Sequence, residues 1–271
     1  MTRQSQLAAR FAALHRHDES FVIPNPWSVP SARLLEGMGF PALATTSSGL
    51  ALELGKRDGE ATLEEVIAHC RALCEATGVP VSADLENCYA DSPDAAAKNL
   101  LRAAETGIVG ASIEDFSGRS EAPIYDRSLA VERVAAAVEA VRTLPFHFTL
   151  TARAENLIRG RMDLDDTIQR LQAFEAAGAD VLYAPGLTTL REVELVAGSV
   201  SAPINVLVPP FRGVAAAALG AAGAQRLSLG GALARAVYTS LVEAGREIRE
   251  HGTFGWAEGT ESFGALLALV G

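Results

Sequence analysis

One pattern recurs along almost the whole chain: a short apolar run followed by a longer amphipathic stretch. FVIPNPW (21–27), ALATTS (42–47), VPVSADLE (79–86), GASIED (110–115), HFTLTAR (147–153), DVLYAPG (180–186), INVLVPP (204–210) and RLSLGG (226–231) read as eight strands. Helical periodicity fills the gaps, as in TLEEVIAHCRALCEATG, SPDAAAKNLLRAAETG and LDDTIQRLQAFEAAGA, and ALARAVYTSLVEAGREIREHG follows the last strand. Gly39, Gly78, Gly107, Gly178, Gly198 and Gly223 stand where helices should stop. Thr62 with Glu65, and Thr189 with Glu192, are spaced as capping boxes where helices should start. Strands so continuously apolar need cover on both faces, which only an α/β architecture gives.

Eight strand–helix units in 271 residues fit a (β/α)8 TIM barrel. The expected organisation is a modified barrel with an N-terminal helix over residues 1–250 and a C-terminal extension over 251–271. The extension ends in an apolar helix that packs on the barrel or on a neighbouring subunit, with exchange between subunits as one arrangement. A doubly wound open sheet is the alternative. No GxGxxG follows a strand and no GxxxxGK[ST] is present, which counts against nucleotide binding on such a sheet.

The formal net charge of −10 argues against a nucleic-acid partner. The first 25 residues read as an amphipathic helix without a cleavage pattern, and no stretch of 18 apolar residues predicts a membrane span. Three sparse cysteines, Cys70, Cys74 and Cys88, fit a reducing compartment, and the expectation is a cytoplasmic protein.

Barrels place their chemistry at the C-terminal ends of the strands. The first five mouths here are polar: Asn25; Thr45 to Gly49; Asp84 and Glu86; Glu114 and Asp115; Arg153, Glu155 and Asn156. The last three end on Pro185, Pro209 and Gly230 and carry almost no charge. Residues two apart in a strand share a face, so Asp84 and Glu86 point the same way and Glu114 joins them from the next strand. Three carboxylates in one site repel unless a cation joins them, and all-oxygen ligands suit Mg²⁺ or Mn²⁺. Arg153 is placed to grip a substrate carboxylate in a bidentate pair. The Ser47–Ser48–Gly49 turn offers hydroxyls and backbone N–H groups to an anionic oxygen. Asp58, in a polar loop over 49–60, can add a carboxylate to the metal's water shell or be a solvated turn. His147, early in its strand, reads as structural.

With these stretches together, the chain resembles the isocitrate lyase/phosphoenolpyruvate mutase superfamily. The matching segments are NPWSVPSARLLEGMGFPALATTSSGLA, GKRDG, VSADLENCYA, GASIEDFSG, LTARAEN and LDDTIQRLQAFEAAGADVLYAPG. The resemblance implies an oligomeric modified barrel, a dimer or tetramer, that binds Mg²⁺ and a 2-oxo acid or its enolate. It implies Asp84 as the direct metal ligand, with Asp58, Glu86 and Glu114 holding the metal's waters. It implies Ser48, Gly49 and Leu50 in the turn that binds carboxylate and carbonyl, and Arg153 as the site arginine. Arg153, Asp58 and Glu114 are the expected catalytic residues. Thr46, Ser47, Ser48, Gly49, Leu50, Asp84, Arg153, Glu155 and Asn205 are the expected substrate contacts.

Lyases of that family carry a KKCGH or KRCGH segment after the fourth strand. Here the region reads IEDFSGRSEAPIYD (113–126), with no cysteine. Cys88 follows a different strand and reads as a packing residue. The expected reaction is Mg²⁺-dependent decarboxylation or C–C hydrolysis of a small 2-oxo dicarboxylate, oxaloacetate being the simplest, through an enolate. The alternatives are an isocitrate- or 2-methylisocitrate-type lyase of altered range, and a 2-oxo acid binder without turnover.

Overall fold

A computed structural model describes residues 2–16 and 19–270. The eight strands are β1 (Phe21–Ile23), β2 (Leu43–Ala44), β3 (Val81–Asp84), β4 (Gly110–Glu114), β5 (Thr149–Arg153), β6 (Val181–Tyr183), β7 (Ile204–Leu207) and β8 (Ala224–Ser228). All pair in parallel in the order β1-β8-β7-β6-β5-β4-β3-β2. The seam between β1 and β2 carries one backbone bond, from Ala44 N to Pro24 O at 3.1 Å, and the Asn25 amide donates to Thr45 O beside it at 3.0 Å. The result is a nearly closed eight-stranded barrel, as the repeat predicts.

The helices are α1 (Arg3–Leu14), α2 (Val29–Gly37), α3 (Ser47–Glu53), α4 (Leu63–Ala76), α5 (Pro93–Ala104), α6 (Arg127–Val141), α7 (Leu164–Ala176), α8 (Leu190–Ala197), α9 (Ala216–Ala221), α10 (Ala232–His251) and α11 (Phe263–Val270). Both capping boxes form, at Thr62 with Glu65 and at Thr189 with Glu192. α1 plugs the N-terminal end of the barrel. Phe11 is fully buried there, and a Cβ on Gly110 would come within 2.9 Å of its ring, so β4 needs glycine at that point.

Two expectations change. The Ser-Gly segment is not an open turn: Ser47 begins α3, whose cap is Thr46, with Gly49 N donating to Thr46 Oγ1 at 3.4 Å. The expected 49–60 loop therefore shortens to the residues after Leu54. α10 carries only Ala234 in the interior, and Val237, Leu241, Val242 and Ile248 stand exposed along it. The chain then returns, and the Leu269 carbonyl of α11 sits against Gly37 of α2 so closely that any Cβ there would collide with it.

Candidate active site at the barrel mouth

A cavity of about 980 Å³ opens at the C-terminal ends of the strands. Thr46, Ser47, Ser48, Asp58, Asp84, Glu86, Glu114, Arg153 and Asn205 all line it. Gly49 and Leu50 lie buried just behind, in the first turn of α3. Glu155 is fully buried beneath Arg153 rather than on the wall.

Arg153 organises the acidic side. Its Nη1 donates to Asp84 Oδ1 at 2.8 Å, its Nη2 lies 3.2 Å from Glu114 Oε2, and Nε and Nη2 donate to Glu155 Oε1 at 3.1 and 2.7 Å. The Tyr183 ring lies under the guanidinium, 4.9 Å from its centroid. Burial opposes this charge, but Glu155, Glu114 and Asp84 hold the guanidinium well above its ordinary pKa. Asp84 also accepts from Ser47 N at 3.2 Å and from the Ser112 hydroxyl at 3.3 Å. It is therefore oriented by three strands and the start of α3.

The carboxylates beside it are short of compensating charge. Burial, then Asp84, pushes Glu86 up to about 7, even though Glu86 Oε1 accepts from Tyr89 Oη at 2.9 Å. Burial and Glu155 push Glu114 well above the usual carboxylate range, against the pull of Arg153. A cation bound nearby favours the charged form of both groups.

The loop that carries Glu86 is strained. Glu86, Cys88 and Tyr89 have φ of 48°, 56° and 57°, the left-handed region that favours glycine. The buried Arg133 of α6 holds it in place, donating to the carbonyls of Asn87, Ala90 and Asp91. The Tyr125 ring stacks on that guanidinium at 4.4 Å, and Tyr125 Oη donates to Asp91 Oδ1 at 2.5 Å. Arg133 carries no cue in the sequence, because its partners are carbonyls 42 to 46 residues away.

No cysteine faces the cavity. Cys88 is fully buried and burial pushes its thiol up to about 12. Cys70 and Cys74 are buried on α4, with thiols also raised by burial. The 115–126 segment folds back on itself through the Phe116–Ile124 bridge. His147 stands at the other end of the barrel, 3.4 Å from Asp180.

Arg226 and Tyr183 also line the cavity and were not expected. The last three mouths look uncharged because Arg226 sits mid-strand. The available signal was its spacing from Ser228, two residues on and therefore on the same face.

Among the described residues no three Asp, Glu, His or Cys side chains converge in a ready-made metal cluster. The acidic wall nonetheless fits a hydrated Mg²⁺, which keeps several waters and needs only one or two direct carboxylates. The under-neutralised Glu86 and Glu114 next to Asp84 supply that chemistry.

A modified (β/α)8 barrel with a polar C-terminal mouth is the class these features define. The chain matches the phosphoenolpyruvate phosphomutase family over residues 11–249, and it belongs to that family, within the isocitrate lyase/phosphoenolpyruvate mutase superfamily. A solved structure from Burkholderia cenocepacia J2315, described by its class as lyase/mutase, is 48% identical with a TM-score of 0.95, covering 98% of this chain and 95% of that one. Rv1998c of Mycobacterium tuberculosis is 34% identical over 81% of each chain. The 2-methylisocitrate lyase of Escherichia coli is 30% identical over 66% of this chain and 62% of its own length. The oxaloacetate decarboxylase of Bradyrhizobium diazoefficiens is likewise 30% identical, over 64% and 61%. Among the described residues no helix is long and apolar enough to cross a membrane.

Proposed function

We propose that this protein is a Mg²⁺-dependent enzyme that breaks a C–C bond of a small 2-oxo dicarboxylate through an enolate, with oxaloacetate as the first substrate to test. The reaction is decarboxylation or C–C hydrolysis. The observation that carries this reading is the wall of Asp84, Glu86 and Glu114 around Arg153, with no cysteine facing the cavity. Similarity to an oxaloacetate decarboxylase supports it, and similarity to 2-methylisocitrate lyases keeps the substrate range open.

In this reading Asp84 is the direct metal ligand, and Glu86, Glu114 and Asp58 hold water around the ion. When bound, the metal supplies a Lewis acid that polarises the 2-oxo group. The chain's own residues do the rest. Arg153 exchanges part of its contact with Asp84 for the substrate carboxylate. The half-buried hydroxyls of Ser47 and Ser48, which line the cavity, and the backbone at the start of α3 face the negative charge that develops on the oxo oxygen. Tyr183, whose phenol burial pushes up to about 12, stays protonated beside Arg153, lines the cavity and is the candidate donor of the proton that returns to carbon. Cys88 has no part in it.

The test is incubation of purified protein with Mg²⁺ and oxaloacetate, with pyruvate, CO₂, acetate and oxalate all measured. Product above the metal-only background is expected, and an Asp84→Asn variant should lose it. No product above background removes the proposal.

A further inference from the structure

Two guanidinium groups line the cavity, and their partners differ in kind. Arg153 is in contact with three carboxylates. Arg226, on β8, has only neutral partners among the described residues. Its Nε donates to Asn205 Oδ1 at 2.9 Å and its Nη2 to Thr151 Oγ1 at 2.9 Å. Its Nη1 lies 3.4 Å from His15 Nε2. His15 Nδ1 lies 2.9 Å from the Phe11 carbonyl, which can only accept, so the proton is on Nδ1 and Nε2 is an acceptor for Arg226. Burial, then Arg226, holds His15 down to about 3, so the imidazole is neutral. Among the described residues no carboxylate pairs with Arg226, and Arg153, a second cation, acts against its charge.

A guanidinium has five N–H donors, and these contacts use three. The wall above is made of small polar side chains: Ser82, Ser112, Thr151, Asn205 and Ser228. The Asn205 amide donates to Ser228 Oγ at 2.8 Å, and the Ser228 hydroxyl proton, which faces Tyr183, can turn to a stronger acceptor. The lumen therefore descends from an acidic mouth to a buried cation with spare donors and, among the described residues, no counter-ion. A buried charge without a partner is costly, and an incoming anion relieves it.

We propose that Arg226, oriented by Asn205 and joined by Ser228, is the receptor for the remote carboxylate of the substrate, and so sets the selectivity for dicarboxylates. This rests on the 2-oxo acid reading above. It also selects between the two reactions left open there. In decarboxylation the C3–C4 bond breaks and the remote carboxylate leaves as neutral CO₂, so a cation gripping it opposes the step. In hydrolysis water adds to C2, the C2–C3 bond breaks, its electron pair passes to C3 and into the remote carboxylate, and a proton returns to C3, giving oxalate and acetate. A cation at that carboxylate stabilises the developing charge. Arg226 thus steers the site towards C2–C3 cleavage.

The test is calorimetry with Mg²⁺ present, using oxalate, which lacks the remote carboxylate, and 3,3-difluorooxaloacetate, which has it. Arg226→Met should weaken the difluoro compound at least tenfold and leave oxalate within twofold. Arg226→Lys, which keeps the charge, should recover part of the preference and serves also if the methionine variant does not fold. Equal losses on both ligands, or no loss on either, overturn the proposal. Failure of the wild-type protein to bind oxalate would instead overturn the 2-oxo acid reading and the subsite with it. With oxaloacetate, the ratio of pyruvate to acetate should rise in the Met variant and by less in the Lys variant, and an unchanged ratio overturns the steering.

Discussion

The two sides of one barrel lumen solve opposite electrostatic problems. On β3, β4 and β5 carboxylates outnumber the guanidinium they share: Arg153 faces Asp84, Glu114 and Glu155. On β7 and β8 a guanidinium stands among an amide, hydroxyls and a neutral imidazole. The first side lacks positive charge, and the second lacks negative charge. The same residue type is thus a counter-ion in one place and a receptor in the other, and only the partners tell which. A 2-oxo dicarboxylate with a divalent cation supplies both missing charges.

Substitutions should separate the two sides. The largest effect is expected from Asp84→Asn, which removes the carboxylate bonded by Ser47, Ser112 and Arg153. Turnover should fall by at least about a hundredfold, with Mg²⁺ affinity falling in parallel in direct titration. Loss of turnover with unchanged metal affinity would move the metal to another carboxylate.

Next comes stability. Arg153→Met leaves Asp84, Glu114 and Glu155 around a vacated charge, and truncating one partner of a buried ion pair costs about 3–5 kcal/mol. Arg226→Met strands only neutral acceptors, whose hydroxyl and amide groups can turn to other partners, and it removes a buried charge that no described carboxylate neutralises, so the net loss should be smaller. Urea unfolding of the pair measures the difference. Equal losses would mean that Arg226 is as deeply tied into the fold as Arg153.

A pH effect of about 2 kcal/mol should follow from His15, whose pKa is lowered from 6.5 to about 3 mainly by burial. Between these values the unfolded chain takes up a proton that the folded chain refuses. Stability contributed by this group is therefore full above 6.5 and is lost progressively as pH falls towards 3. Unfolding midpoints at pH 7.5 and 5 should differ less in His15→Gln, which keeps a neutral acceptor for Arg226.

The smallest effect is expected from Cys88→Ser. The thiol is buried and faces no part of the cavity, so turnover should stay within about threefold of wild type, at a stability cost of about 1 kcal/mol. Loss of turnover without unfolding would restore a lyase-type role.

The barrel was legible in the sequence because the strand–helix repeat is local: each apolar run and each cap is a short-range signal. Asp84, Glu114 and Arg153 were legible for the same reason, since they stand at strand ends, whereas Glu86 lies beyond β3 in a left-handed loop and reaches the cavity by that turn rather than by strand alternation. Arg226 and Arg133 were not legible. Arg226 sits inside a strand and meets Thr151 across the lumen, and Arg133 lies in a helix and reaches carbonyls of another loop. Their roles depend on contacts that only the closed fold creates. The helical start at Ser47 was missed because Ser-Ser-Gly is turn-like in isolation, whereas Thr46 caps it as the first turn of α3. α10 exposes an apolar face, and sedimentation of the full chain tests the expected oligomer.

The central claim is that the acidic side of the mouth binds a 2-oxo acid through a divalent cation. Calorimetric titration of oxalate into the wild-type protein, with Mg²⁺ and then with the metal chelated, tests it most directly. The account predicts one site per chain that requires Mg²⁺ and is abolished by Asp84→Asn. Binding of equal strength without metal, or undiminished in Asp84→Asn, would contradict it.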